Sequence, residues 1–351
     1  MPRIIFILSY PTYVSVADQA EWLAWNNRDR RMPAILSAMG VEVELWGIGR
    51  EACVVESAGD AGTRYTVRLF TADNSRRAPR DHVSAAMLAA ARAAGDALFV
   101  VIGTNGGIGY HLYDRLLRPA ARRYAVIIGG DYWSRLLPRA KLVFPETVAQ
   151  EQALAHPRFF WRPPIPRGRM LRLPKAIDIE LFHPAPRPIR WDVVSVSRLS
   201  RWKSFAEVGA LSRRYRVAVA GDGPDGAALA RRYPNIEWLG HVPHRDVPDL
   251  LHQAHVYFHA GRRDYFPRAI VEAMACGKPV VGFGARMGED VIPPDCGLRV
   301  DQATFEPATA ALLDDSARIA SMGAAARRHV VATHGWDSSV AACQVLAGML
   351  G

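Results

Sequence analysis

Two carboxylates that are eight residues apart are the side chains best placed to do chemistry in this sequence. Asp264 lies shortly before Pro267, and Glu272 lies in an Ala-rich stretch that ends at Gly277. Proline disfavours helical backbone in the residue before it, so we predict Asp264 in a loop and Glu272 on the following helix. The helix N-terminus between the two acids would offer free N–H groups and a favourable dipole to a phosphate. The pair could hold a sugar on one side and a ribose on the other; a plain amphipathic helix is the alternative.

Two cations follow a predicted strand in the same half of the chain. The strand 192–197 leads into Arg198 and Lys203, which lie on either side of a turn into a helix. The two charges could converge on a diphosphate, because fixed positive charge stabilises a phosphate leaving group as it departs. Two solvated bases on the rim of a sheet are the alternative.

Glycines follow the next predicted strand in a pattern that dinucleotide-binding proteins also use. The strand 217–220 precedes Gly221, Gly223 and Gly226, which satisfy G-x-G-x-x-G. A dinucleotide fingerprint requires this pattern after the first strand of its unit, with an acid about 20 residues onward. Here the pattern follows the second strand, so we interpret it as a turn that shapes a nucleotide site.

The stretch around the two acids resembles the acidic signature of the retaining glycosyltransferases of the family 4 type (glycosyl transferases group 1), which have the GT-B architecture. In that family two acids are separated by seven residues, as they are here. The first acid of the family is usually Glu, and this chain has Asp. The positions that match the family pattern are Asp264, Phe266, Pro267, Glu272, Ala273, Gly277, Pro279 and Val280.

The resemblance implies a role for each residue. Arg198, Lys203 and Asp264 are the predicted catalytic group: the two cations stabilise the leaving nucleotide, and Asp264 binds the sugar hydroxyls. Glu272 is expected to bind the ribose hydroxyls. The other predicted donor-binding residues are Gly221, Gly223, His241, Val242, Phe266, Pro267, Arg268 and Ala269.

The reaction that the resemblance implies is transfer of a sugar from a nucleotide sugar, such as a UDP- or GDP-sugar, to an acceptor hydroxyl with retention of configuration. It needs no cofactor, and no metal site is predicted. Synthesis of cell-surface glycans, glycolipids or natural-product glycosides are the candidate pathways. Two other classes stay open: a catalytically silent nucleotide-sugar-binding protein, and an NAD-dependent oxidoreductase. Donor binding without turnover would identify the first, and NAD binding at GDGPDG would identify the second.

The chain of 351 residues is long enough for two domains. Short apolar runs alternate with helical stretches, which favours parallel sheets. We predict an α/β fold with two Rossmann-like parallel-sheet domains that face each other across a cleft. The predicted domains are 1–183 on the acceptor side, 184–334 for the nucleotide sugar, and a C-terminal helix 335–351 that crosses back to the first. Predicted strands of the first half are 4–8, 41–46, 65–70, 98–102 and 125–128, and those of the second half are 192–197, 217–220, 236–239, 256–259 and 279–283. Predicted helices include 83–94, 305–313 and 317–332.

Two residues of the first half are candidates for the acceptor side. Asp131 follows two glycines after the strand 125–128, and it resembles a position that lines the acceptor pocket in the family. A helix N-cap is the alternative for Asp131. His111 follows the loop TNGGIGY and begins a basic stripe of one helix face, which continues at 115, 118 and 122. A solvated face is the alternative for the stripe.

Basic residues are concentrated in the first half. Lys and Arg exceed Asp and Glu by 9 in residues 1–190 and by 1 in residues 191–351. No nucleic-acid-binding motif accompanies the charge, so we predict no nucleic-acid partner. The excess positive charge could attract an anionic or lipid-linked acceptor and support peripheral membrane contact. The alternative is that the charge serves only solubility. In the segment 158–172, aromatic residues are interleaved with five arginines. If these aromatics are exposed they could contact a bilayer surface; packing between the domains is the alternative.

The expected compartment follows from the cysteines and the N-terminal segment. Four cysteines are widely scattered without metal or redox spacing, which is typical of a reduced cytosolic protein. The segment 1–10 has an apolar core shorter than that of a secretory leader, so we predict a buried first strand. We expect a cytoplasmic protein, with attachment to the inner membrane surface as an option. His244, His252 and His255 lack ligand partners at a suitable spacing and are expected to be structural.

Overall fold

The computed structural model describes residues 3–14, 16, 18–25, 27–130, 133–200 and 203–350. The chain divides into two compact units, one formed by Met1–Pro174 with Trp336–Gly351 and the other by Lys175–Gly335. The sequence-based limits at 183/184 and 334/335 stay a prediction of the domain organisation. Within the described ranges, no helix combines the length and the apolar character that a membrane span requires.

The first unit contains a seven-stranded sheet in the order β3-β4-β2-β1-β5-β6-β7. All neighbouring strands are parallel except β3 and β4, which are antiparallel. The strands are β1 Arg3–Leu8, β2 Glu42–Ile48, β3 Cys53–Ala58, β4 Arg64–Phe70, β5 Leu98–Ile102, β6 Tyr124–Ile127 and β7 Leu142–Phe144.

The second unit contains a six-stranded, wholly parallel sheet in the order β10-β9-β8-β11-β12-β13. The strands are β8 Trp191–Val196, β9 Val217–Ala220, β10 Ile236–Gly240, β11 Ala254–His259, β12 Val280–Phe283 and β13 Gly297–Val300. Chain order reverses between β8 and β11, as it does in dinucleotide-binding sheets. Ligands of open α/β sheets bind outside the carboxyl ends of the strands at such a reversal.

Helices connect the strands of both sheets. They are α1 Gln19–Ala24, α2 Arg28–Ala38, α3 Ala85–Ala93, α4 Gly107–Leu112, α5 Val148–Ala155, α6 Phe205–Leu211, α7 Gly226–Arg232, α8 Val247–His252, α9 Arg268–Ala275, α10 Phe305–Leu313, α11 Ser316–Thr333 and α12 Val340–Gly348. The last helix, α12, packs in the first unit, where the Cys343 Sγ lies 3.7 Å from the carbonyl oxygen of Met32.

Each sheet is apolar on both faces because helices cover both. All five residues of β5 are buried, and alternate residues of this strand belong to different apolar clusters. The second sheet is likewise covered by one cluster on each face. Strands buried on both faces have continuous apolar runs, which is why their sequences were recognisable without alternation.

The predicted α/β class and the central strands of both sheets are confirmed. The structure adds three strands that the sequence analysis did not predict, namely β3, β7 and β13. The first has mostly exposed residues, and the other two have three and four residues, so none carries the long apolar run of a buried strand. The helix predicted after residue 83 and both helices predicted after residue 304 are present.

Candidate functional site

Four loops of the second unit meet at the carboxyl edge of its sheet. They are residues 197–200 with 203–204 after β8, 221–225 after β9, 241–243 after β10 and 260–267 after β11. Because these four strands are neighbours and parallel, their carboxyl ends share one edge. Every residue that the sequence analysis assigned to donor binding or catalysis lies in these loops or in α9.

Backbone hydrogen bonds join these loops to one another. The Ser204 N–H donates to the Ala260 carbonyl at 2.6 Å, which connects the loop after β8 with the loop after β11. The Gly221 N–H donates to the Gly240 carbonyl at 2.7 Å, which connects the loop after β9 with the last residue of β10. Backbone hydrogen bonds therefore connect neighbouring segments at this edge of the sheet.

Gly221 and Gly223 allow the loop after β9 to pass close to the loop after β8. Their φ angles are +136° and +155°, and a Cβ atom would lie 2.0 Å from the Ser197 carbonyl oxygen and 2.2 Å from the Leu199 carbonyl oxygen, respectively. Only glycine tolerates this backbone and this approach. Both glycines therefore permit close packing of the two loops, and their predicted role in donor binding stays a prediction.

Asp264 is the centre of a polar network in the loop after β11. Its Oδ2 is contacted by the Lys203 Nζ in an ion pair and lies 2.8 Å from the His259 Nε2. The His259 Nδ1 lies 3.3 Å from the Tyr257 hydroxyl. Both donors use Oδ2, so Oδ1 has no hydrogen bond among the described residues. One carboxylate oxygen is thus held by the protein, and the other is available to a ligand.

The network keeps Asp264 ionised. Burial acts to raise the pKa of Asp264, but the His259 hydrogen bond and the Lys203 charge outweigh it and leave the pKa well below its ordinary value. Burial lowers the pKa of His259 despite the neighbouring carboxylate, so the ring is neutral at pH 7 and donates through Nε2–H. The site therefore combines a fixed carboxylate with a fixed ammonium group.

Gly261 makes the approach of Asp264 to His259 possible. A Cβ atom at position 261 would lie 1.9 Å from the Asp264 Oδ2 and 2.5 Å from the His259 Nε2. Gly261 is buried, and its φ lies outside the left-handed region. The glycine is needed for space and not for backbone conformation.

Glu272, the second acid, lies on α9 and is buried, with 6% of its side chain exposed. Its Oε1 lies 2.8 Å from the His244 Nε2, and no other hydrogen bond or ion pair of the Glu272 carboxylate is found in the described part of the chain. The His244 ring packs against the Phe182 ring, with centroids 5.1 Å apart. One oxygen of Glu272 is oriented by a histidine, and the other can accept hydrogen bonds from a diol.

The N-terminus of α9 lies between the two acids, as the sequence analysis predicted. Pro267 is the N-cap, and no side chain caps the first turn. The N-terminal amides and the helix dipole therefore form an anion-attracting position. Arg198 is exposed and has no ion-pair partner among the described residues, so its charge is also available at this edge.

Four other predicted donor-binding residues lie in the loop after β10 and at the start of α9. His241 is exposed, whereas Val242, Arg268 and Ala269 are partly buried. Phe266 is 94% buried and packs in the core of the unit, with the His334 ring 5.5 Å away. Phe266 could therefore contact a ligand only through its backbone.

The first unit holds the two acceptor-side candidates. His111 lies on α4 and is partly buried; burial and Arg115 lower its pKa. Asp131 lies outside the described residues. At the reversal point of this sheet, the Ser9 Oγ donates to the Gly103 carbonyl at 2.8 Å, so the loops after β1 and β5 contact each other. Gly106 lies so close to Ser9 that a Cβ atom would be 1.9 Å from its carbonyl oxygen.

The sequence analysis missed two histidines and one glycine of the site. His244 was expected to be only structural, but it contacts Glu272, which is 28 positions away. His259 was predicted as the last residue of a strand without a role, although a polar residue at the carboxyl end of a buried strand is a usable signal. No local signal identified Gly261. Within the described ranges, no group of three or more His, Cys, Asp or Glu side chains could hold a metal ion.

Comparisons with known proteins point to one family. Residues 192–315 match the family model "Glycosyl transferases group 1". The chain is 27% identical over 144 residues to a component of the phosphatidylinositol N-acetylglucosaminyltransferase of Arabidopsis thaliana, covering 36% of this chain and 32% of that protein. It is 31% identical over 217 residues to a GDP-mannose-dependent alpha-mannosyltransferase of Mycolicibacterium smegmatis, covering 57% of this chain and 55% of that protein. The chain thus spans between about a third and about half of the length of these relatives.

A solved structure resembles the whole chain. The Anabaena protein HepE in complex with UDP and glucose matches 100% of this chain and 99% of its own, with a TM-score of 0.68 and 18% identity. This likeness concerns the fold, and the family match concerns the unit that carries both acids and both cations. The second unit therefore matches the Glycosyl transferases group 1 family over residues 192–315, and the chain as a whole has the GT-B fold.

Proposed function

We propose that this protein transfers a sugar from a nucleotide-sugar donor to an acceptor hydroxyl, with retention of configuration and without a metal ion. The observation that carries the proposal is the Asp264–Lys203 ion pair at the reversal point of the second sheet. A carboxylate and an ammonium group side by side match a ligand that carries hydroxyl groups next to phosphates. A nucleotide sugar is such a ligand.

The charges of the site match one orientation of the nucleotide-sugar donor. The diphosphate lies against the N-terminus of α9, Arg198 and Lys203, because these groups carry positive charge. The sugar hydroxyls donate to Asp264 Oδ1, which has no hydrogen bond among the described residues. The ribose diol donates to the oxygen of Glu272 that His244 leaves open.

Bond cleavage releases a nucleoside diphosphate, and this is where the two cations act. The bond between the anomeric carbon and the phosphate oxygen breaks, and its electron pair goes to that oxygen. Arg198 and Lys203 stabilise the negative charge as it develops, an effect that reaches several kcal/mol in water-excluded sites, about 3–4 kcal/mol for one donor. The same cations supply the charge that a metal ion supplies in other phosphate sites, which supports metal independence.

Retention follows if the acceptor attacks on the face that the phosphate leaves. The acceptor oxygen then forms its bond to the anomeric carbon within the ion pair, and its proton goes to the departing phosphate oxygen. Asp264 is held at Oδ2 by two donors and stays ionised, which suits stabilisation of hydroxyls and of positive charge on the sugar.

A lipid-linked or otherwise anionic acceptor is the class that we infer. The Arabidopsis relative is named for phosphatidylinositol. The surplus of Lys and Arg in residues 1–190, the acceptor side of the proposal, would attract an anionic acceptor. Asp131 and His111 remain the proposed acceptor-side residues.

Ligand binding and turnover test the proposal in two steps. A thermal-shift screen with UDP-glucose, GDP-mannose and NAD should raise the unfolding temperature with a nucleotide sugar and not with NAD. Nucleotide release is then measured with phosphatidylinositol in detergent micelles, with and without EDTA, and NMR of the product gives the anomeric configuration. Inverted product would refute retention, and loss of turnover in EDTA would refute metal independence.

Variants locate the donor. Glu272→Gln should weaken nucleotide-sugar binding by about 10- to 100-fold, because it removes charged hydrogen bonds to the ribose. Glu306→Gln, an exposed acid in the first turn of α10, is the matched control and should bind as the unmodified protein does. Equal affinity in both variants would exclude the Glu272 site. Binding without turnover for every acceptor would instead favour a silent nucleotide-sugar-binding protein.

A further inference from the structure

Three consecutive aromatic side chains are exposed in the first unit. Phe159, Phe160 and Trp161 have exposed fractions of 38%, 94% and 61%. Together with the flanking Arg158 and Arg162 we call them the aromatic–arginine loop. Single exposed aromatics are common, but contiguous ones mark a surface that binds a partner.

The loop is ordered by its own contacts. The Phe159 and Trp161 rings stack with centroids 4.7 Å apart, and the Phe160 ring meets Trp161 edge-on at 5.1 Å. The Arg162 guanidinium lies 5.0 Å from the Phe159 ring centroid and 5.5 Å from that of Trp133. The exposed rings are therefore held as one apolar surface instead of being folded into the core.

Two arginines flank this apolar surface. Arg158 and Arg162 flank the rings, and Arg158 lies 5.9 Å from the Phe159 ring centroid. Arg135, two residues after Trp133, forms an ion pair with Asp114 at 2.7 Å, so the charge beside the rings is that of Arg158 and Arg162. Aromatic side chains prefer the membrane–water interface, and arginines beside them attract anionic headgroups. Charge complementarity thus selects an anionic bilayer among the possible partners.

We propose that the aromatic–arginine loop docks this protein on the surface of an anionic membrane. Phe160 and Trp161 enter the headgroup region, while Arg158 and Arg162 contact lipid phosphates. The loop contacts the segment after β6, since the Trp133 Nε1 lies 3.5 Å from the Pro163 carbonyl oxygen. That segment lies at the carboxyl edge of the first sheet, so docking would bring this edge to the membrane. The link to a lipid-linked acceptor rests on the proposed function, whereas docking itself does not.

Vesicle co-sedimentation tests the proposal. The full chain should sediment with vesicles that mix phosphatidylglycerol into phosphatidylcholine, and less with phosphatidylcholine alone. The double variant Phe160→Ser/Trp161→Ser should lower the partition coefficient by about tenfold or more, because two apolar side chains no longer leave water. Arg158→Ser/Arg162→Ser should lower it by about tenfold on the anionic vesicles, and much less on phosphatidylcholine.

Matched variants separate docking from general effects. Val54→Ser removes an apolar side chain that is 65% exposed on β3, at the opposite edge of the same sheet, and should sediment as the unmodified protein does. Arg213→Ser/Arg214→Ser removes two exposed charges from the second unit and serves as the charge control. Unfolding temperature and nucleotide-sugar thermal shift report folding and donor binding independently, so docking can fail while the proposed function holds.

Three results would overturn the proposal. The first is no sedimentation with anionic vesicles, and the second is an equal loss of sedimentation in the control and loop variants. The third is a change in oligomeric state, but not in vesicle binding, when the aromatics are replaced, because this would make the loop an interface between copies of the chain.

Discussion

Replacement of Gly261 by alanine should break the centre of the candidate site while leaving the backbone conformation acceptable. The new Cβ atom would lie 1.9 Å from the Asp264 Oδ2, and real Cβ contacts are essentially never shorter than 3.0 Å. The carboxylate oxygen, or the loop that carries it, must therefore move by about 1.1 Å, the difference of these two distances. A shift of this size disrupts the 2.8 Å contact with His259 and the ion pair with Lys203.

The expected magnitude follows from the contacts that are lost. A hydrogen bond to a charged group contributes about 1.5–3 kcal/mol, and overpacking of a buried site costs about 1–3 kcal/mol. Part of the strain relaxes, so we expect Gly261→Ala to lower the free energy of unfolding of the second unit by about 2–4 kcal/mol. For a unit of this size the unfolding temperature should fall by about 5–15 °C.

Chemical denaturation and differential scanning calorimetry measure this loss. Gly168→Ala is the control, because a Cβ atom at position 168 meets nothing within 4 Å and the glycine is not in the left-handed region. Gly261→Ala should also be non-additive with Asp264→Ala, since removal of the carboxylate removes the closest overlap. An unchanged unfolding temperature in Gly261→Ala would refute the reasoning, and so would an equal cost with and without Asp264.

Three further predictions concern the ion pairs. Lys203→Ala should lower kcat by about 100-fold, in contrast to the exposed control Lys141→Ala, in a nucleotide-release assay; similar rates in both variants would exclude Lys203 as a leaving-group stabiliser. The pKa of Asp264 is lower in the folded state than in the unfolded state, where it is about 3.9, so ionised Asp264 stabilises the fold above pH 4 and this contribution is lost as the pH falls toward the folded pKa. The free energy of unfolding should therefore decline less steeply below about pH 4 in Asp264→Asn than in the unmodified protein. Identical slopes in acid denaturation would contradict this. Arg28 and Glu146 form a buried ion pair, 2.6 Å apart, so Arg28→Met leaves a buried charge without its partner and should lower the free energy of unfolding by about 3–5 kcal/mol. The double variant Arg28→Met/Glu146→Leu should regain part of this loss in urea titrations. A double variant that is less stable than Arg28→Met would contradict this.

The sequence determined the parts of this protein that depend on local order along the chain. Parallel strands buried on both faces require continuous apolar runs. Such runs in the sequence were enough to locate β1, β5, β8, β9, β11 and β12. Proline at position 267 and glycine at position 277 bounded α9, and they thereby separated a loop acid from a helix acid. The resemblance to a family rested on the same local spacing.

Only the tertiary structure decided which side chains meet. Lys203 and Asp264 are 61 residues apart, and Glu272 and His244 are 28 apart, so no local pattern could pair them. Their contacts exist because the order of strands in the second sheet places the ends of β8, β10 and β11 at one edge. Gly261 shows the same limit in a single residue: its role is space for a hydrogen bond, and space is a property of the packed molecule and not of the chain.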